Sequence, residues 1–256
     1  MRGRTKLVSL SIMLTVLLTV SMVFASGVID VSKLSFYPLD EPTAGTANLF
    51  VNPKNTVDST KQPPSSTFQV HINTSGTGYD LYTYQINLTY NKNIINVNKL
   101  IYLTRATFDT SSEVLSLVIN VTDNTKGYSA LSETILGNVA GVSGSYRLVT
   151  IEFIVKGYGS TDIIMSPTGT LNTTLLDSLG VKITPTITNG YFRNKYTGDV
   201  DGDKYVGSND VSLLRPSYGL APPNPSYNRE ADFDMDNYVG STDVSLLRPN
   251  YGITFP

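Results

Sequence analysis

Between Asn48 and Phe192 apolar and polar residues alternate. Tyr82, Tyr84, Ile86, Leu88 and Tyr90 are separated by Thr83, Gln85, Asn87 and Thr89. Val149, Ile151, Phe153 and Val155 are set against Thr150, Glu152 and Lys156, and Leu115, Leu117, Ile119 and Val121 form a third series. A period of two is that of a strand with one face toward a core and the other toward solvent. Shorter β-branched or aromatic runs (Leu49–Val51, Phe68–Ile72, Val97–Leu103, Asp162–Met165, Leu171–Leu176, Ile183–Phe192) bring the count to about nine strands, punctuated by Gly, Pro, Asn, Asp and Ser. Short regular strands without long helical patterns predict a mainly β protein of two packed antiparallel sheets; an immunoglobulin-type sandwich satisfies the same pattern.

The period changes near the C-terminus. The segments Gly198–Gly219 and Ala231–Gly252 are offset by 33 residues and identical at sixteen of twenty-two positions, which marks a duplication. Carboxylates fall at loop positions 1, 3, 5 and 12 of each copy: Asp199, Asp201, Asp203 and Asp210, then Asp232, Asp234, Asp236 and Asp243. Alternate residues of a tight loop can aim side chains at one centre, and position 12 returns from the first turn of a following helix. A calcium ion, which takes six to eight oxygens at roughly 2.3–2.6 Å, is held in this way. Tyr205 and Tyr238 at position 7 would add main-chain oxygens. Carboxylates so close together repel unless a cation neutralises them, so two Ca2+ ions are expected, one per loop.

Departures from the EF-hand rule carry information. Position 6, where Gly makes the sharp turn, is Lys204 or Asn237. Asn tolerates a left-handed backbone better than Lys, which predicts a less strained second loop and a weaker first site. Position 9 is Gly207 or Gly240, leaving that coordination place to water, and position 12 is Asp rather than Glu. Val211, Leu214 and Tyr218, like Val244, Leu247 and Tyr251, are spaced for one helical face, and Pro216 and Pro249 should limit each helix to about two turns. So small a unit has little core, and metal binding is expected to supply part of its folding free energy.

Arg2, Arg4 and Lys6 precede an apolar run from Leu7 to Phe24 that ends at Ala25, the three parts of a secretory signal peptide over residues 1–25. Residues 26–47 lack periodicity and read as a spacer. The whole chain carries a net charge of −2; without the three leading cations, 16 basic residues face 21 acidic ones, a net −5. That balance argues against nucleic acid as a partner. The absence of Cys excludes disulfides and thiolate chemistry, and a single His excludes His-rich metal centres. The expectation is an acidic, secreted, extracellular protein, on the membrane only if the signal segment is retained. Sequons at Asn73, Asn87, Asn120 and Asn172 fit export.

The duplicated tail, residues 198–256, resembles a dockerin module: paired loop-plus-helix units, Asp at position 12, and Ser-Asn or Ser-Thr just before it. The resemblance implies a pseudo-twofold helical face that docks on a cohesin. It assigns partner choice to Ser208 and Asn209 and to Ser241 and Thr242, with Arg215 and Arg248 as basic contacts. The middle of the chain is similar to cohesins in three strings: residues 84–97, where a strand ends in Tyr and resumes after a turn; residues 141–163, a Gly-rich turn, long strand and Lys-Gly; and residues 175–192, the closing strands with an Asn-Gly turn. The likeness implies a nine-stranded jelly-roll β-sandwich over residues 48–193. Its dockerin-binding sheet face would include Thr83 and Gln85. Asn87 lies on the same side, and a glycan there would block docking.

The expected function is therefore a non-catalytic scaffold that joins cohesin- or dockerin-bearing proteins in a calcium-dependent way, with self-assembly head to tail left open. The junction 193–197 spans only about 17 Å when extended, which makes a fold back onto the same sandwich awkward but not impossible. The rival reading is a carbohydrate-binding or adhesion module attached through its tail. His71, between Val70 and Ile72, should point outward, and nothing in the spacing of Glu113, Glu133 and Glu152 pairs two carboxylates for glycoside hydrolysis.

Overall fold

The computed structural model describes residues 46–58, 64–102, 115–136, 140–165 and 172–256. The signal segment, most of the expected spacer and Glu113 lie outside the described residues. Among the described residues no helix is long and apolar enough to cross a membrane.

Thirteen strands are present in the described residues: β1 (Thr46–Asn52), β2 (Asn55–Asp58), β3 (Thr67–Thr77), β4 (Leu81–Thr89), β5 (Ile95–Tyr102), β6 (Leu115–Asp123), β7 (Tyr128–Leu136), β8 (Tyr146–Val155), β9 (Gly159–Met165), β10 (Thr174–Asp177), β11 (Lys182–Ile183), β12 (Pro185–Thr188) and β13 (Gly190–Asn194). One sheet runs β12-β1-β3-β8-β5. The other is centred on β4. β7 and then β6 flank one edge of β4, while β10 and β9 share its other edge, β10 leading to β11 and β9 to β13 and β2. Ile72, Ile86, Leu88, Ile151, Phe153 and Phe192 from the two sheets meet in one buried cluster, so the sheets form a sandwich. Phe68 stacks on Phe192 across it, with ring centroids 4.3 Å apart.

The expected count of nine is corrected by two effects. Ile183–Phe192 is not one strand but three, because the chain crosses sheets there: β12 joins the first sheet and β13 the second. β2 and β7 were not expected. The inward face of β7 alternates Leu131 and Ile135 with Ser129 and Glu133, all buried, which breaks the apolar pattern. The Tyr84 hydroxyl donates to Glu133 Oε2 at 2.9 Å, giving this buried carboxylate a partner.

A second correction concerns β6. Its register pairs Leu117 with Thr134, Ile119 with Ser132 and Val121 with Ala130. Directly opposed residues share a face, and β7 in turn sets Thr134 against Thr83 and Ser132 against Gln85. Leu117, Ile119 and Val121 therefore lie on the outer face of the sheet beside Thr83 and Gln85, half-buried rather than in the core. Alternation announces a strand but does not say which side faces inward.

Among the described residues the strands of the sandwich run from Thr46 to Asn194, against the expected 48–193. The tail contributes α1 (Ser208–Leu214) and α2 (Ser241–Leu247), each continued by a proline-containing 3₁₀ turn, Arg215–Ser217 and Arg248–Asn250. The two-turn length matches the expectation, but the expected helical face does not form. Leu214 and Leu247 are buried, while Val211 and Tyr218, with their equivalents Val244 and Tyr251, stay exposed. The tighter 3₁₀ turn ends regular helical spacing before Tyr218 and Tyr251 are reached.

Candidate metal loops and docking surfaces

The two halves of the tail are bound by reciprocal backbone hydrogen bonds. Val206 N–H donates to Ile253 O and Gly252 N–H to Val206 O; one repeat away, Val239 N–H donates to Leu220 O and Gly219 N–H to Val239 O. Each loop is thus closed by the chain that leaves the opposite helix. Val200, Val206, Leu214, Ala231, Phe233, Val239 and Leu247 fill the space between.

In each loop the first three aspartates converge. Carboxylate oxygens of Asp199, Asp201 and Asp203 lie within 4.8 Å of one another, as do those of Asp232, Asp234 and Asp236. Asp210 and Asp243, at position 12, are buried at the helix starts. Asp210 Oδ1 accepts from Val200 N–H and Oδ2 from Gly207 N–H, both at 2.7 Å. Asp243 repeats the pattern with Phe233 and Gly240, at 2.6 and 2.7 Å. Tyr205 and Tyr238 hold position 7, and each donates its N–H to the position-5 carboxylate at 2.7 Å.

The donor set fits a hard cation. Partial burial lifts Asp201 and Asp234 above the ordinary carboxylate value, and neighbouring aspartates raise both further. Asp232 is 1% exposed; its Oδ2 is hydrogen-bonded while its Oδ1 is buried without a hydrogen-bond partner. An orphaned buried carboxylate oxygen beside two further carboxylates is a costly arrangement that a divalent ion relieves.

The backbone corrects the expected distribution of strain. Position 6 is left-handed in both loops, φ 69° at Lys204 and 67° at Asn237. Position 4 is left-handed as well, occupied by Gly202 in the first loop (φ 83°) and by Met235 in the second (φ 60°). The second loop thus carries two non-glycine residues in this region and the first only one, so it is not the less strained. Position 9 has its own reason to be glycine: a Cβ there would come within 2.3 Å of the Tyr205 ring or 2.8 Å of the Tyr238 ring.

The short junction 193–197 does not prevent a fold-back, and the tail packs onto its own sandwich. Register places Tyr191 and Arg193 of β13 on one face with Asp162 and Ser160 of β9, and the tail covers that face. Arg193, 4% exposed, donates to the carbonyls of Asp232 and Phe233, both at 3.0 Å. Tyr191 and Ser160 hydroxyls donate to Glu230 Oε1 at 2.6 and 2.7 Å. Lys195, also buried, pairs with Glu230 at 2.6 Å and donates to Val200 O at 2.8 Å. Burial pushes Glu230 up, but the Lys195 ammonium and the hydroxyls outweigh it and hold the carboxyl below its usual value. At the rim Arg229 bridges to Asp162 at 2.6 Å and lies over the Tyr191 ring. The fold-back is short-range because β13 itself delivers Lys195 to the tail core.

The resemblance-derived contact residues fall into two groups. Ser208, Asn209, Arg215, Ser241, Thr242 and Arg248 are all exposed, alongside the exposed Leu213 and Leu246. Thr83 and Gln85 are half-buried on the outer face of β4: the Thr83 hydroxyl meets that of Thr134, and Gln85 donates to Asn172 O at 3.0 Å. Asn87 lies on that face too. The tail sits at the β9–β13 end of the same sheet, leaving the β4–β7–β6 end uncovered by these contacts. His71 is half-buried beside Thr150, with its pKa lowered by burial and by Arg147. Glu133 faces the core and Glu152, hydrogen-bonded by Gln69 and Asn98, lies outside the other sheet. Composition and spacing singled out none of Tyr158, Tyr191, Arg193, Lys195, Tyr227 or Glu230. The one available signal was Tyr227, which precedes the second loop and lacks a counterpart before the first.

No protein-family model matches the sequence, and no curated protein is similar to it. Solved structures that superpose on part of the chain are cohesins. The cohesin CaCohA2 from Clostridium acetobutylicum is 17% identical, with 59% of this chain and 91% of that one covered and a TM-score of 0.46. A non-cellulosomal cohesin from the archaeon Archaeoglobus fulgidus is 16% identical, covering 58% and 90%, with a TM-score of 0.42. A type I cohesin–dockerin complex from Clostridium thermocellum matches at 13% identity over 58% of this chain and 98% of that one, with a TM-score of 0.42.

Proposed function

We propose that this chain is a secreted, non-catalytic assembly protein whose tail, ordered by two calcium ions, docks on a cohesin-like sheet face while its own sandwich offers such a face to dockerin-like partners. The observation that carries the reading is the duplicated loop: each copy gathers three carboxylates within 4.8 Å and leads into a helix that leaves Val211 and Leu213, or Val244 and Leu246, in solvent. Exposed apolar side chains repeated in two equivalent settings are a surface made to be covered. Ser208–Asn209 and Ser241–Thr242 open the two helices, and Arg215 and Arg248 close them.

The receiving face combines Thr83 and Gln85 with the half-buried strip Leu117, Ile119 and Val121. An apolar strip flanked by hydroxyls and amides is complementary to the helix surfaces of such a tail. A chain that carries both elements can join its own kind head to tail, giving rings or fibres. The basic, apolar and small-residue order of the N-terminus supports export, where millimolar calcium is available to weak sites.

Immobilised full-length chain should bind purified cohesin or dockerin modules in calcium and release them on chelation, and sedimentation should show larger species in calcium if it also binds itself. Failure to bind either class of module, together with a monomer in saturating calcium, would remove the proposal.

A further inference from the structure

The two loops match in sequence but are braced from different places. Asp232 Oδ2 accepts Asn237 N–H at 3.0 Å and the hydroxyl of Tyr227, five residues upstream, at 2.6 Å. The residue five before Asp199 is Asn194, which belongs to β13 and donates to Gly157 O at 3.0 Å. Asp199 nevertheless has the same two partners on the same oxygen: Lys204 N–H at 2.9 Å and a tyrosine hydroxyl at 2.5 Å. That hydroxyl is Tyr158, from the turn between β8 and β9 of the sandwich.

We propose that Tyr158 is the missing brace of the first loop, so that ion binding there and seating of the tail on the sandwich are one coupled event. The inference rests on the calcium reading above. Tyr158 is placed for both tasks, because its oxygen also accepts Tyr196 N–H at 3.0 Å at the joint itself. The Lys204 ammonium lies 5.7 Å from the ring centroid, a second link from position 6 of the loop to the sandwich. Asp199 also accepts Gly202 N–H at 2.7 Å through Oδ1, so its carboxylate orientation is set entirely by neighbours.

Hydrogen bonds that orient a metal ligand are typically worth 10–100-fold in affinity, and coupling between two events is reciprocal. Calcium titration of the intact chain by calorimetry should show two ions. Tyr158→Phe should weaken one of them by about ten-fold or more, and Tyr227→Phe the other. Amide exchange at Tyr196 gives a readout that needs no variant: calcium should slow it in the native chain, and Tyr158→Phe should speed it while Tyr227→Phe leaves it unchanged. A Tyr158→Phe chain that binds both ions with native affinity, or a Tyr196 amide indifferent to calcium in a chain that binds two ions, overturns the coupling alone. A native chain that binds no ion overturns the calcium reading and the coupling with it.

Discussion

The first and second repeats share sixteen of twenty-two residues, yet their loops are built into the protein differently. The second is braced within the tail by Tyr227 and gripped from behind by Arg193 through its main chain. The first draws its brace from Tyr158 of the sandwich and its floor from Lys195, the residue that follows the last strand. Even the backbone strain is placed differently, with Met235 left-handed where the first loop has Gly202. Duplication copied the aspartates, and the surroundings then made one loop internal to the tail and the other part of a joint.

The largest separation should come from removing a ligand. Asp232→Ala should reduce the bound ions from two to one and leave Tyr158 and Tyr196 engaged. Asp199→Ala should also delete an ion, but it should expose the joint to proteolysis as well. Each lost site should weaken more than about 100-fold, since outer hydrogen bonds alone are worth 10–100-fold. Calorimetric stoichiometry and limited digestion check both outcomes.

Arg193→Ala attacks the second loop from the sandwich side. It strands two carbonyls at a buried position, each costing roughly 1–3 kcal/mol, so a loss of about 3 kcal/mol is expected in thermal or denaturant unfolding. Acid should act on the joint more gently. Glu230 is held below its usual carboxyl value in the folded chain, so its contribution is fully present above its unfolded pKa and is lost as pH falls through the folded one. Glu230→Gln should flatten the fall in stability below about pH 4.5. Proton competition at the loops acts in the same direction but begins at higher pH: Asp201 and Asp234 are raised, so calcium affinity should begin to fall while the pH is still above the ordinary Asp value. The smallest effect belongs to the backbone. Met235→Gly should stabilise the second loop by about 0.5–1 kcal/mol through relief at φ 60°, with no such gain available at Gly202.

Much of this was legible in the residues. The alternation of β4 and β8 located two central strands, and the spacing of eight aspartates located both loops. Two helical turns followed from Pro216 and Pro249. The hidden parts share a physical cause: they depend on which groups meet across the fold. β7 escaped notice because Ser129 and Glu133 occupy inward positions, tolerated there by partners such as Tyr84 and Thr122. The outward facing of Leu117, Ile119 and Val121 is set by pairing with β7, not by their own pattern. Met235 gave no turn signal, being an apolar residue forced left-handed by the geometry its loop shares with Gly202. The length of the junction alone makes the fold-back at the joint awkward, and it says nothing of Arg193 and Lys195 being buried against the tail.

Hydrogen–deuterium exchange on the intact chain, with and without calcium, tests the central claim most directly. The account predicts that calcium protects both loops and, together with the first, the Tyr196 segment and the β8–β9 turn that carries Tyr158. Loops and joint that exchange at the same rate in calcium and in chelator would contradict it.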